Sequence, residues 1–256
     1  MIFVRFAEAG AVRIGSIETG GMIRVLDGDD FVAARSTLDT VPLANVRLLS
    51  PIARPRIFGI GSNYHHVLRE MSAPVPQRPL VFTKPWTAVV GPGDDIVYPK
   101  GSSEVFFEGE LSVVIGKAGR RIAKADALSH VLGYTCGNDL TERTLQLAEL
   151  KVGSMVLSKS FDTFAPLGPR LVTDIDPSDL TVVSRVNGEI RQSGHTSDLV
   201  FDVPTLIAHI SDAITLQPGD VIMTGTPAGY GPIKPGDDIE IEISGIGTLR
   251  NHVVVE

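Results

Sequence analysis

Two glutamates set one residue apart inside an apolar run constrain this chain more than any other feature. The run is Ser103-Glu104-Val105-Phe106-Phe107-Glu108-Gly109-Glu110-Leu111-Ser112-Val113-Val114-Ile115-Gly116. Aromatic and β-branched residues dominate it and a glycine closes it, so it reads as one β-strand. Side chains alternate faces along a strand, which sends Glu108 and Glu110 the same way and leaves Gly109, Leu111, Val113 and Ile115 facing the core. Two carboxylates side by side repel each other and are costly to strip of water. Either their face is the wet side of a half-exposed strand, or a cation resolves both problems. Glutamate oxygens suit a hard ion such as Mg²⁺ or Mn²⁺ better than zinc, which favours His and Cys.

Further along, Gly133-Tyr134-Thr135-Cys136-Gly137-Asn138-Asp139-Leu140-Thr141 puts Asp139 at the end of another strand-like run, where it offers a third oxygen ligand. The remaining segments form many short strands and few helices. Residues 1–52 read as a small β-rich unit: Ile2, Val4 and Phe6 alternate, Val12 to Ile17 can pair back, and Met22 to Leu26 adds a strand. The prolines of Leu49-Ser50-Pro51-Ile52-Ala53-Arg54-Pro55 mark a boundary, and residues 53–256 form the main domain. Arg56 to Gly61 is a buried strand, Ser62 to Met71 a short helix or lid, and proline-rich Met71 to Pro79 a mobile loop. Lys124 to Leu132 has helical spacing, with Ala127, Leu128, Val131 and Leu132 inward. Asn187-Gly188 joins Val182–Val186 to Glu189–Gln192 as a type I′ hairpin. Val203 to Leu216 is an amphipathic helix with Leu206, Ile207, Ile210 and Ile214 inward. Asp238 to Ile243 and Thr248 to Val255 pair as closing strands. The fold class is therefore mostly β (α+β).

Several function classes drop out. Gly59-Ile60-Gly61 is no dinucleotide fingerprint, because Tyr64 stands where the third glycine belongs and no βαβ pattern follows. Gly116-Lys117 lacks the context of a phosphate loop. A net charge of −7, with no basic block, argues against nucleic-acid and anionic-membrane partners. The single cysteine, Cys136, excludes an internal disulfide framework and reads as a packing residue. The N-terminal apolar run is too short for a signal peptide, and no stretch approaches a membrane span. A cytoplasmic location is the expectation.

Read in order, Phe-Glu-Gly-Glu-Leu, Asn-Asp, Lys-Ser-Phe-Asp-Thr-Phe, Asn-Gly-Glu-Ile-Arg-Gln and Thr-Gly-Thr-Pro resemble the fumarylacetoacetate hydrolase (FAH) family, from about Arg56 to the C-terminus. The resemblance implies a rolled mixed β-sheet catalytic domain behind a short N-terminal unit, and a homodimer. It implies Glu108, Glu110 and Asp139 as ligands of Mg²⁺ or Mn²⁺, with positions left for a small 2-oxo or 2-hydroxy-enoic acid. Lys159 matches the family lysine that neutralises a carboxylate or moves a proton. Arg143 and Gln146 match substrate-binding positions, and Thr226 offers hydroxyl and backbone donors to a carboxylate. Lys84, in Phe82-Thr83-Lys84-Pro85, ranks below them.

One departure bears on the reaction. Family hydrolases and decarboxylases often carry Asn-Tyr-x-x-His-x-x-Glu, whose His–Glu pair handles water or a proton. Here the stretch is Asn63-Tyr64-His65-His66-Val67-Leu68-Arg69-Glu70: Glu70 matches, Val67 replaces the histidine, and His66 comes one residue early. On a helix His66 stands i,i+4 to Glu70, so the pair can meet, turned about 100° around the axis. Glu70 and His66 are thus candidate catalytic residues. The loss of the histidine weighs against water activation, so decarboxylase or isomerase (tautomerase) chemistry through an enolate is favoured, as on 2-hydroxyhepta-2,4-diene-1,7-dioate and related dicarboxylates. Acylpyruvate- or fumarylacetoacetate-type C–C hydrolysis is the alternative, and a catalytically silent metal-binding protein is a third.

Overall fold

The computed structural model describes residues 1–256. The chain opens with strands β1 (Ile2–Glu8), β2 (Ala11–Glu18), β3 (Met22–Asp27), β4 (Arg35–Pro42) and β5 (Arg47–Leu49). Next come β6 (Ile57–Gly61), helix α1 (His65–Glu70), β7 (Leu80–Lys84), β8 (Val89–Val90) and β9 (Ile96–Tyr98). The acidic run yields β10 (Val105–Phe107) and β11 (Gly109–Ile115), followed by β12 (Val131–Asn138), β13 (Thr141–Glu142) and α2 (Arg143–Lys151). The last part contains β14 (Ala165–Val172), β15 (Thr181–Val186), β16 (Glu189–His195) and α3 (Val203–Ala213). It closes with β17 (Val221–Met223), β18 (Gly231–Ile233), β19 (Asp238–Ile243) and β20 (Gly247–Val255).

The strands form three sheets. The large mixed sheet runs β4-β3-β2-β1-β14-β12-β11-β17-β6-β7, with β5 on β1 and β8 on β14. A second is β13-β10-β18 and a third β16-β15-β19-β20-β9. One hydrophobic core links all three, with Phe107, Leu111, Leu167, Ile222, Ile241 and Leu249 among its members. The N-terminal strands are sewn into this architecture, since β1 pairs antiparallel with β14 at Ile2↔Val172 and Phe3↔Leu171. Alternation along β1 sends Phe3 into the main core and Val4 and Phe6 into a separate small one with Ile23, Val25 and Val41.

The stretch from Ser103 to Gly116 is two strands, contrary to the single-strand reading. β10 pairs with β13 and β18, whereas β11 pairs with β12 and β17. The chain changes sheets at Glu108, whose N–H donates to Asn138 Oδ1 at 3.0 Å and whose carbonyl accepts from the Asp139 N–H at 2.9 Å. Nor is there a wet face: Glu110, Ser112 and Val114 are as buried as Leu111, Val113 and Ile115. A strand between two partners with the third sheet packed over it has no exposed side.

Two helix expectations are also corrected. Lys124–His130 is a 3-10 segment, and Val131 and Leu132 start β12, because pairing with β11 takes up these residues. Leu128 is 46% exposed, not inward. α3 stops at Ala213, so Ile214 is extended and 37% exposed while Leu216 takes the buried position. The Asn187-Gly188 turn does have positive φ at both residues, 53° and 80°, as a type I′ turn requires. The hairpin runs on to His195. No helix is long and apolar enough to cross a membrane.

Candidate active site and metal centre

Glu108 at the β10–β11 junction, Glu110 on β11 and Asp139 just past β12 bring carboxylate oxygens within 4.8 Å of one another. Adjacent antiparallel strands hold them there, with Gly109 opposite Asn138 and Glu110 opposite Gly137. Two buried lysines meet the cluster. Lys159 Nζ donates to Asp139 Oδ2 at 2.7 Å and to Glu108 Oε2 at 2.9 Å, and Lys84 Nζ donates to Asp139 Oδ1 at 2.5 Å and to the Leu140 carbonyl at 3.0 Å. Glu108 Oε1 accepts from the Thr141 hydroxyl at 2.7 Å, and Glu110 Oε2 accepts from the Gly225 amide at 2.7 Å. That amide reaches Glu110 because Gly225 has φ +101° and packs against Asn63, where a Cβ would lie 2.8 Å from the Asn63 Cβ. The buried Asn63 side chain pins the same loop by donating to the Thr224 carbonyl at 2.8 Å.

The electrostatics divide the acids. Burial, then the charges of Asp139 and Glu108, push the Glu110 carboxyl well above its ordinary range. Glu108 is raised too, by burial first, although Lys159 pulls the other way. Burial would also raise Asp139, but Lys159 and Lys84 outweigh it and hold it below its usual value. For Lys159 burial acts downward and is outweighed by Asp139 and Glu108, so its ammonium is firmly retained. Burial dominates at Lys84 and lowers it. Three all-oxygen carboxylates, two of them unfavourably ionised when alone, fit a hard divalent cation that would relieve both burial and repulsion.

A cavity of about 310 Å³ opens onto Glu108, Glu110 and Lys159 and is walled by Val67, Phe82, Arg143, Gln146, Thr226 and Tyr230, among others. Lys159 sits 5.0 Å above the Phe82 ring. Its place is set from α2: Glu149 accepts the amides of Val156, Leu157 and Ser158 and the Ser158 hydroxyl, tying down the turn that carries it. α2 is capped by Glu142, which accepts from the Leu145 amide at 2.5 Å. Arg143 in the first turn donates to Gln146 Oε1 at 2.5 Å and lies over the Phe106 ring at 5.6 Å.

The structure thus brings Glu108, Glu110, Asp139, Lys159, Arg143 and Gln146 together. Thr226 also lines the cavity; its hydroxyl donates to the Gly109 carbonyl at 2.9 Å and accepts from Gln192 Nε2 at 2.7 Å, which leaves the backbone N–H as the donor of the pair expected for a carboxylate. His66 and Glu70 do meet, at 3.5 Å, but on the outer face of α1, 59% and 55% exposed, and neither lines the cavity. Val67, nearly fully buried, holds the inward position on that helix. Lys84, ranked low from sequence, is as central as Lys159. Strand parity was the available signal, since Phe82 and Lys84 share the buried face of β7. Tyr230, Asn63 and Glu149 were missed, and their roles depend on contacts that no local pattern announces. Cys136 is fully buried, as expected of a packing residue, and burial raises its thiol to about 12.

A family model described as fumarylacetoacetate (FAA) hydrolase C-terminal matches residues 56–254, and one described as Rv2993c-like, N-terminal, matches residues 1–51. The crystal structure of 2-hydroxyhepta-2,4-diene-1,7-dioate isomerase from Mycobacterium marinum superposes with a TM-score of 0.91 at 41% identity, covering 100% of this chain and 99% of that one. Human mitochondrial oxaloacetate tautomerase FAHD2A is 42% identical over 87% of this chain and 74% of its own length. Fumarylpyruvate hydrolase from Pseudomonas aeruginosa, solved with Mn²⁺ and pyruvate, gives a TM-score of 0.76 at 33% identity, covering 82% and 92% of the two chains.

Proposed function

The chain belongs to the fumarylacetoacetate hydrolase family, whose matched members include an isomerase, a tautomerase and a hydrolase, and from that premise we propose that it is an isomerase (tautomerase) or decarboxylase of a small 2-oxo or 2-hydroxy-enoic acid, dependent on Mg²⁺ or Mn²⁺. One observation carries the choice of reaction. Val67 lines the cavity where a water-activating base would stand, and the His66–Glu70 pair lies outside it. Keto–enol isomerisation and loss of CO₂ need a charge-stabilising site and a proton donor, with no activated water.

Glu108, Glu110 and Asp139 would hold a divalent cation, which would supply positive charge to the cavity as a Lewis acid. The chain's own groups do the rest. Arg143, oriented by Gln146 and the Phe106 ring, presents a planar guanidinium to a substrate carboxylate. Lys159, held charged between two acids and facing the cavity, holds or delivers a proton at the enolate carbon or oxygen. Val67, Phe82, Leu147 and Leu150 make the wall around them apolar and limit water.

The test is a proton NMR time course on oxaloacetate and on an acylpyruvate, in Mg²⁺ and then in EDTA. Metal-dependent enol–keto exchange or CO₂ loss, with the acylpyruvate intact, is the expected result. Cleavage of the acylpyruvate would favour C–C hydrolysis. Retained Mg²⁺ binding with no turnover of either compound would favour a silent metal-binding protein.

A further inference from the structure

A second cavity of about 310 Å³ lies apart from the carboxylate cluster, in the crease between the N-terminal strands and the catalytic domain. Arg5 on β1, Phe31 in the β3–β4 loop, Pro51 and Ile52 in the connector, Leu132 on β12 and Gly219 ahead of β17 wall it. The lining is largely apolar, and the one cation in it is poorly compensated. Arg5 is half-buried and belongs to no ion pair, and its one hydrogen bond runs from Nη1 to the Ser50 carbonyl at 3.4 Å, at the long limit. A guanidinium carries five N–H donors in a planar fork, so most of these have no protein acceptor.

The acids near the rim do not serve it. Asp30 Oδ1 is occupied by the amides of Val32 and Ala33, both at 2.8 Å, and Asp29 is exposed. Burial alone acts on the Arg5 charge, with no carboxylate bearing on it. A partly desolvated cation beside an apolar hollow is costly until an anion joins it. We propose that this crease is a binding site for a small organic anion, a single carboxylate on a compact apolar body. The carboxylate pairs with the Arg5 fork and the body packs against Phe31, Ile52 and Leu132. The volume suits a ligand of about ten heavy atoms, at the lower end of small-molecule pockets.

The metal-loaded full chain is titrated with benzoate, with benzamide as the uncharged control, by calorimetry and by methyl-resolved NMR. Benzoate is expected to bind and benzamide not, with shifts concentrated at the methyls of Val32, Ile52 and Leu132. Arg5→Gln should weaken binding at least about tenfold, the loss of a charge-assisted hydrogen bond. Ala53→Trp, at the exposed rim, should block the crease without touching Arg5, and an unchanged melting temperature will show that it folds. The proposal is overturned if both variants bind benzoate as tightly as the unaltered chain, if the shifts fall at Leu147 and Leu150 beside the carboxylates instead, or if benzoate does not bind at millimolar concentration. Should Arg5→Gln fail to fold, the position of the shifts in the unaltered chain decides.

Discussion

Replacing Lys84 by Met keeps the side-chain length and removes one charge, which makes it the sharpest probe of the carboxylate cluster. Lys84 Nζ is fully buried, 2.5 Å from Asp139 Oδ1. Breaking a buried ion pair from one side costs about 3–5 kcal/mol, because the partner stays desolvated without its counter-charge. In a chain of this length about 1 kcal/mol moves the melting temperature by ~2–4 °C, so the metal-free variant should melt ~6–20 °C below the unaltered protein. With all five groups ionised, the three acids and two lysines sum to −3 + 2 = −1. Lys84→Met makes that −2, a charge that a divalent cation cancels. The variant should therefore bind Mg²⁺ more tightly and regain most of its lost stability when loaded, since a ligand that binds only the native state stabilises it. Scanning calorimetry in EDTA and in saturating MgCl₂ measures both. An equal deficit under the two conditions would refute the cation site on these carboxylates. No deficit in EDTA would refute the claim that Lys84 balances Asp139.

Glu110 gives a pH signature in the metal-free protein. Its native pKa is raised above the ordinary 4.5, so the native state binds more protons than the unfolded one above that pH. Stability should fall as pH rises, by up to about 1.4 kcal/mol per unit from this one group. Glu110→Gln should flatten that decline in thermal melts between about pH 5 and 8; an unchanged slope would assign it elsewhere. Val67→His places an imidazole on the inward face of α1 and should bring measurable acylpyruvate cleavage, at a stability cost of about 1–3 kcal/mol for a larger, polar group in a packed wall. An unaltered chain that already cleaves acylpyruvates as fast as it isomerises oxaloacetate would contradict the role given to Val67. Gly59→Ala should lower kcat, because its Cβ would fall 2.3 Å from the Phe82 ring that underlies Lys159. Wild-type kinetics in that variant would mean the ring does not position the lysine.

The parts of the site carried by local spacing were legible in the sequence. The Glu-x-Glu spacing and the Asn138-Asp139 end of a strand-like run named the three acids, but strand alternation is not what joins them: the chain changes sheets at Glu108, and the pairing of β11 with β12 carries Asp139 to the two glutamates. The i,i+4 meeting of His66 and Glu70 is a property of the helix alone. Which way that helix faces is not. Val67 and Leu68 are the buried residues of the helix and His66 is turned outward, so a pair that forms as expected does not line the cavity. Burial of β11 on both faces comes from partners far away in the chain, β12 and β17 in its own sheet and β15 across it.

Sequence alone therefore determined the mostly β class, the acid trio, the hairpin at Asn187-Gly188 and the likeness to a family, all of which rest on short-range periodicity or on ordered motifs. Tertiary structure decided how charge is shared within the site. It seated Lys84 on Asp139 across 55 residues of chain, committed the Thr226 hydroxyl to a backbone carbonyl, and made a crease around Arg5 by joining β1 to β14. Ionisation in such places depends on burial and on which charges face one another, and only the folded chain sets those distances.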